Sequence, residues 1–137
     1  MIVNMLTVKT FIKQSAIHGT GVFAAEDIAK GTIVWKYEPL LDIGLTKEQM
    51  EKLPDIAKKT FLNYAYHDAE DAIYILCFDD ARFMNHADDP NTTQIPNDID
   101  TQGYTVATKD IKTGEEITCD YRIVDDDIAD KLGPAFG

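Results

Sequence analysis

The chain has 137 residues, 45% of them hydrophobic and 27% charged, a balance that fits one folded domain and excludes a disordered class. Thirteen Lys and Arg stand against 24 Asp and Glu, a formal net charge of −11. That field repels phosphate backbones, so no direct nucleic-acid binding is expected, and it attracts basic partners. No stretch approaches the ~20 apolar residues of a membrane span, and the first residues lack the basic and apolar regions of a secretory leader. A soluble, cytoplasmic protein with no membrane partner is therefore expected.

In chain order, residues 5–13 alternate Leu6, Val8, Thr10 and Ile12 against Thr7, Lys9 and Lys13, the period of a strand. His18-Gly19-Thr20-Gly21 reads as a turn, after which Val22-Phe23-Ala24-Ala25 resumes extended structure. Ala29-Lys30-Gly31 marks a second turn before the β-branched and aromatic run Thr32 to Tyr37. Thr46 with Gln49 three residues on is a capping box that opens a short helix. Pro54-Asp55 restarts a helix in which Ile56, Ala57, Thr60, Phe61, Tyr64 and Ala65 share one face. Ala72 to Phe78, Gly103 to Ala107 and Glu116 to Tyr121 read as strands, the last two joined by the turn Lys112-Thr113-Gly114. A short amphipathic segment in the tail ends at Gly133-Pro134. The expected class is mainly β with a small helical insertion. It forms one domain over 1–137, with a core at about 6–121 and a tail at 122–137. The alternating units of a doubly wound sheet are missing.

Three segments carry chemistry. In His18-Gly19-Thr20-Gly21-Val22-Phe23-Ala24, two glycines let backbone approach a ligand closely; no G-x-x-G continuation or following helix marks a dinucleotide site. In Arg82-Phe83-Met84-Asn85-His86-Ala87-Asp88-Asp89-Pro90-Asn91, the polar Asn85 and His86 sit beside apolar neighbours and need partners. In Gly114-Glu115-Glu116-Ile117-Thr118-Cys119-Asp120-Tyr121, a turn leads into a strand that ends on an acid and a tyrosine. The only cysteines, Cys77 and Cys119, are far apart and outside C-x-x-C spacing, so no metal site or disulfide is expected.

In this order, G-x-G-V-F-A, R-F-x-N-H-x-x-x-P-N and G-E-E-I-T-x-D-Y closely resemble the SET-domain protein-lysine methyltransferases, over about Leu6 to Tyr121. The resemblance implies the SET-domain β-clip fold with a C-terminal pseudoknot, in which the last strand passes under the loop bearing the N-H motif. It implies S-adenosylmethionine as cofactor, bound by His18, Gly19, Thr20, Gly21, Asn85 and His86, with His86 also bracing the pseudoknot. Tyr121 matches the catalytic tyrosine, while Asp120 and Arg82 are expected to hold the site's shape. Tyr66, Tyr64 and Cys119 are expected in the substrate channel, with Tyr66 preferred over Tyr64, whose place helical packing explains. Cys119 stands where relatives often carry Phe or Tyr, so space for di- or trimethylation is expected.

The chain departs from the family in lacking cysteine-rich zinc-binding flanks. The tail residues Ile123, Ile128, Leu132 and Phe136 are expected to substitute, with Phe136 near the adenine, unless the terminus frays. Thr20 replaces an aromatic residue, and Ala87 a small hydroxyl or thiol residue. The acidic runs at 68–71, 79–80, 88–89 and 125–127 lack calcium-loop spacing and are expected on solvated surface. One or two of them fit a groove for a basic protein or peptide substrate, such as a histone or another DNA-packaging protein. In that case the protein is expected at the nucleoid or nucleus. An open strand edge also suits a homodimer. Two alternatives stand beside the methyltransferase: a non-catalytic peptide-binding or cofactor-sensing module, and a transferase for a non-lysine or small-molecule acceptor.

Overall fold

The computed structural model describes residues 6–37, 40–68, 72–95 and 103–121. Strands β1 (Thr10–Gln14) and β2 (Thr20–Ala24) pair as a hairpin, from Thr10↔Ala24 to Gln14↔Thr20. Ser15 N–H donates to the Gly19 carbonyl at 2.7 Å to close the turn. Gly19 itself takes φ +45, left-handed backbone that a residue without Cβ adopts most readily. The period-2 pattern expected from residue 5 becomes a continuous ladder only at Thr10; Leu6 makes a single bridge to Trp35. Phe11 and Ile12, on the edge strand β1, are 38% and 43% exposed.

Among the described residues the strands form three small sheets. The first has strand order β1-β2-β10-β7, with β7 at Asn85–His86 and β10 at Glu116–Cys119. The second has order β3-β9-β8, from Ile33–Lys36, Tyr104–Ala107 and Thr92–Ile95. The third has order β4-β6-β5, from Ile43–Thr46, Ile73–Leu76 and Tyr66–Asp68. The main core lies between the first two sheets and is built from Val22, Ala24, Ile28, Val34, Met84, Ala107, Ile111, Ile117 and Cys119. Strand β6 starts at Ile73 rather than Ala72, because Ala72 sits at φ 53, outside the extended region.

The helical insertion forms as its caps dictate. Helix α1 (Lys47–Glu51) opens with the reciprocal box: Gln49 N–H donates to Thr46 Oγ1 at 3.1 Å and Thr46 N–H to Gln49 Oε1 at 2.9 Å. Helix α2 (Asp55–Tyr64) packs through its C-terminal half, where Phe61 and Ala65 meet Met50 in a second small core. The single apolar face expected for α2 is only half used. Ile56 in the first turn is 84% exposed and Tyr64 in the last is 38% exposed. Among the described residues no helix is long and apolar enough to cross a membrane.

The crossing that organises the molecule joins β7 and β10. These strands run parallel, Thr118↔Asn85 and Cys119↔His86, while β10 also pairs antiparallel with β2 at Ile117↔Val22. Asn91 then fastens β10 from the other end of the same segment. Its Nδ2 donates to the Glu116 carbonyl at 2.8 Å, and its Oδ1 accepts from Thr118 N–H at 2.9 Å. One side chain thus copies the edge of a strand. Asn91→Ala is expected to lower stability by about 2–3 kcal/mol, since it strands a donor and an acceptor of β10 at once; a denaturant midpoint measures this.

Candidate active site

Asn85 is 6% exposed and works as a knot between three chain segments. Its Nδ2 donates to the His18 carbonyl at 2.9 Å, to the Thr20 carbonyl at 3.3 Å and to Glu116 Oε2 at 3.1 Å. Ser15 Oγ donates to the other oxygen of Glu116 at 2.6 Å. The half-buried carboxylate therefore has partners on both oxygens, as burial demands. Gly21 belongs to this knot. A Cβ there would stand 2.9 Å from Glu116 Cδ, so Gly21 makes room for the carboxylate. The residues expected to cradle a ligand, His18, Gly19 and Thr20, are held at the edge of a cleft by the same bonds; Gly21 does not line it.

His86 is 8% exposed and held at both ring nitrogens. Tyr121 N–H donates to Nδ1 at 3.1 Å, and Nε2 lies 3.0 Å from Asp88 Oδ1. An accepting Nδ1 leaves the proton of the neutral ring on Nε2, which donates to Asp88. The bond to Tyr121 ties β7 to the end of β10, across the crossing described above. Tyr121 is further aimed by its hydroxyl, which donates to the Met84 carbonyl at 2.6 Å, and its ring lies 5.5 Å from that of His86.

Two cavities meet at these residues. The larger, about 850 Å³, is bounded by Ile17 to Thr20, by α2, and by Phe83 and Asn85 to Asp88. The smaller, about 100 Å³, is bounded by Trp35, Tyr66, Cys77, Met84, Gln94, Thr105 and Cys119, among others. Asn63, Tyr64, Arg82 and Tyr121 line both. Tyr64, for which helical packing is the expected account, packs edge-on to Phe83 with centroids 5.5 Å apart and also lines both cavities. Tyr66 and Cys119 both line the smaller one. Phe136 and the tail residues Ile123, Ile128 and Leu132 lie outside the described residues.

Among the described residues the walls of the smaller cavity carry no carboxylate, and Arg82 is their one charged group. Burial pushes the Tyr66 hydroxyl well above the usual phenol range, helped by nearby Cys77, Asp42 and Asp68; it stays un-ionised at neutral pH. Trp35 is buried, and its Nε1 has no hydrogen-bond partner among the described residues. Trp35, Asn63, Cys77, Gln94 and Thr105 were not readable as site residues, because each comes from a different element and none lies in a motif. Glu116 and Asn91 were within reach: both stand inside the quoted motifs, and each combines a polar side chain with an apolar setting.

Three small sheets laced by a parallel crossing, with two cavities sharing a tyrosine wall, define a SET-type β fold. The SET domain family model matches residues 19–122, and the chain belongs to the SET-domain family. It is 28% identical over 123 residues to the human protein Histone-lysine N-methyltransferase 2B, covering 88% of this chain and 4% of that protein. It is 32% identical over 126 residues to Histone-lysine N-methyltransferase set1 of Dictyostelium discoideum, covering 85% of this chain and 8% of that relative. Among solved structures, a candidate histone methyltransferase of Plasmodium falciparum superposes with TM-score 0.58 at 25% identity, covering 84% of this chain and 94% of that one. Chaetomium thermophilum Polycomb Repressive Complex 2, solved in an autoinhibited conformation bound to S-adenosylmethionine, superposes with TM-score 0.65 at 23% identity, over 91% of this chain and 16% of that one. The fold expected from the sequence, mainly β with a helical insertion, is the one found.

Proposed function

We propose that this SET domain transfers methyl groups from S-adenosylmethionine to the ε-amine of lysine in a basic protein, such as a histone or another DNA-packaging protein. The observation that carries the reading is the position of Tyr121 in the wall of both cavities. A large cleft and a narrow pocket that share Tyr121 in their walls suit a reaction between a bulky donor and a slender acceptor. The donor fits the larger cleft: its volume lies within the roughly 300–1,000 Å³ of small-molecule sites. The backbone at Gly19 is also open, with nothing within 4 Å of where a Cβ would stand. When bound, S-adenosylmethionine supplies an electrophilic methyl carbon on a sulfonium.

The chain's own residues supply the rest. Attack needs a neutral amine, and lysine in water is protonated. A pocket whose described walls carry no carboxylate, with an un-ionised Tyr66 and the Arg82 cation among them, disfavours the ammonium. Tyr121, fixed at its hydroxyl and its backbone N–H, orients the amine into the near-attack alignment on which displacement rates depend. Apolar walls from Trp35, Met84 and the two thiols exclude water. The net charge of −11 steers a basic protein to the surface. A substrate of this kind puts the protein in the cytoplasm, or with the packaged DNA.

The test is incubation with labelled S-adenosylmethionine and a panel of basic proteins, followed by mapping of modified lysines. Label on free amines but not on proteins would favour a small-molecule acceptor. Tight cofactor binding with no label anywhere would favour a non-catalytic module. A further expected outcome concerns product state. Cys77 and Cys119 leave more space around the amine than aromatic side chains would, so mass spectra should show di- and trimethyl-lysine. Cys119→Phe should shift the product toward monomethyl, at a packing cost of about 1–3 kcal/mol. A wild-type product that stays monomethyl with excess cofactor and long incubation would overturn this.

A further inference from the structure

In a chain with 24 acidic and 13 basic side chains, the larger cleft reverses the balance. Among the described residues its lining includes Lys58, Lys59 and Arg82 but only two acids, Asp55 and Asp88, and Asp88 already accepts from His86. The two lysines come from α2. Asp55, Lys58, Lys59, Leu62 and Asn63 follow the i, i+3, i+4, i+7, i+8 spacing of a single helical face, and all five line the cleft. The polar face of this helix is therefore a cleft wall. Lys58 is half-buried. Among the described residues neither lysine has a carboxylate within ion-pairing distance, although Asp55 is only one turn away. Arg82, by contrast, lies over the Phe83 ring at 4.9 Å, at the junction of the two cavities.

Half-burying a cation that has no carboxylate partner among the described residues, in a protein so rich in acids, makes sense if an anion arrives with the ligand. A basic peptide would avoid this wall. We infer that Lys58, with Lys59 beside it, binds the carboxylate of the amino-acid end of the cofactor, so that α2 positions the donor in the cleft. The inference rests on the proposed cofactor, and it assigns to the helical insertion a binding role that none of the three sequence motifs contains.

The test is calorimetric titration of the whole chain with two probes, S-adenosylmethionine and its decarboxylated analogue, which lacks only the carboxylate. Lys58→Met and the Lys58→Met/Lys59→Met double variant should bind S-adenosylmethionine about tenfold or more weakly, the size of a lost charge-assisted contact. Both should bind the analogue unchanged or more tightly, since a repulsive cation has gone. Lys58→Arg should keep most of the affinity. Melting curves of the unliganded variants should match wild type, because neither lysine is packed in the core. Equal weakening for both probes, or no weakening for either, overturns the carboxylate assignment while leaving the cofactor reading in place. Wild-type protein that binds neither probe overturns the cofactor reading itself, and the inference with it.

Discussion

Tyr121→Phe is expected to slow methyl transfer about 100-fold or more, the scale on which misplacing a reactant acts, while cofactor affinity changes little. The hydroxyl donates to the Met84 carbonyl at 2.6 Å, and loss of that bond should cost about 1 kcal/mol of stability. The ring remains packed beside His86, and the backbone N–H still donates to His86 Nδ1. The change therefore removes the hydroxyl proposed to aim the amine, with the ring that walls both cavities left in place. Single-turnover label transfer separates this from binding: the rate should fall with the cofactor dissociation constant nearly constant. A phenylalanine variant that transfers methyl at the wild-type rate would exclude Tyr121 from the chemistry.

Asn85→Asp should be the most damaging conservative change in the molecule. In wild type the amide donates to Glu116 Oε2 at 3.1 Å and to two carbonyls that shape the cleft edge. Aspartate has the same shape but presents a carboxylate to a carboxylate and leaves both carbonyls without their donor. A buried charge stripped of its partner costs about 3–5 kcal/mol, enough to threaten the fold of a small domain. The pH dependence has a definite sign. Like charges raise the folded pKa of one member of the pair above its unfolded value, so its stabilising contribution is present in acid and lost as pH rises through the folded value. Relative to wild type, the variant should recover stability as pH falls toward 5. A melting difference that does not change between pH 8 and pH 5 would mean that Glu116 and residue 85 do not share the buried site.

Legibility in the sequence followed the range of the interactions involved. The capping box at Thr46 and Gln49 formed as read, because its bonds close within four residues. Strands at Ile33–Lys36 and Tyr104–Ala107 lie inside the runs that their β-branched and aromatic residues predicted. By contrast, β7 has two residues and no periodicity; Asn85 and His86 are a strand only because β10 lies beside them. Ile56 shared the predicted apolar face of α2 yet is exposed, because periodicity defines a face without saying how far a neighbour extends along it.

The sequence alone determined the family, through three motifs whose residue types and order are specific, and with it the mainly β class and the identities of Asn85, His86 and Tyr121 as residues to examine. Only the tertiary structure decided what those residues touch: that Gly21 clears space for Glu116, that Tyr64 and Tyr121 stand between two cavities, and that the charged face of α2 walls the larger one. The physical reason is that a motif records which side chains recur together along the chain. A cavity is enclosed by residues from distant parts of the chain, as Ile17 and Tyr121 are in the larger one, and no local pattern encodes that meeting.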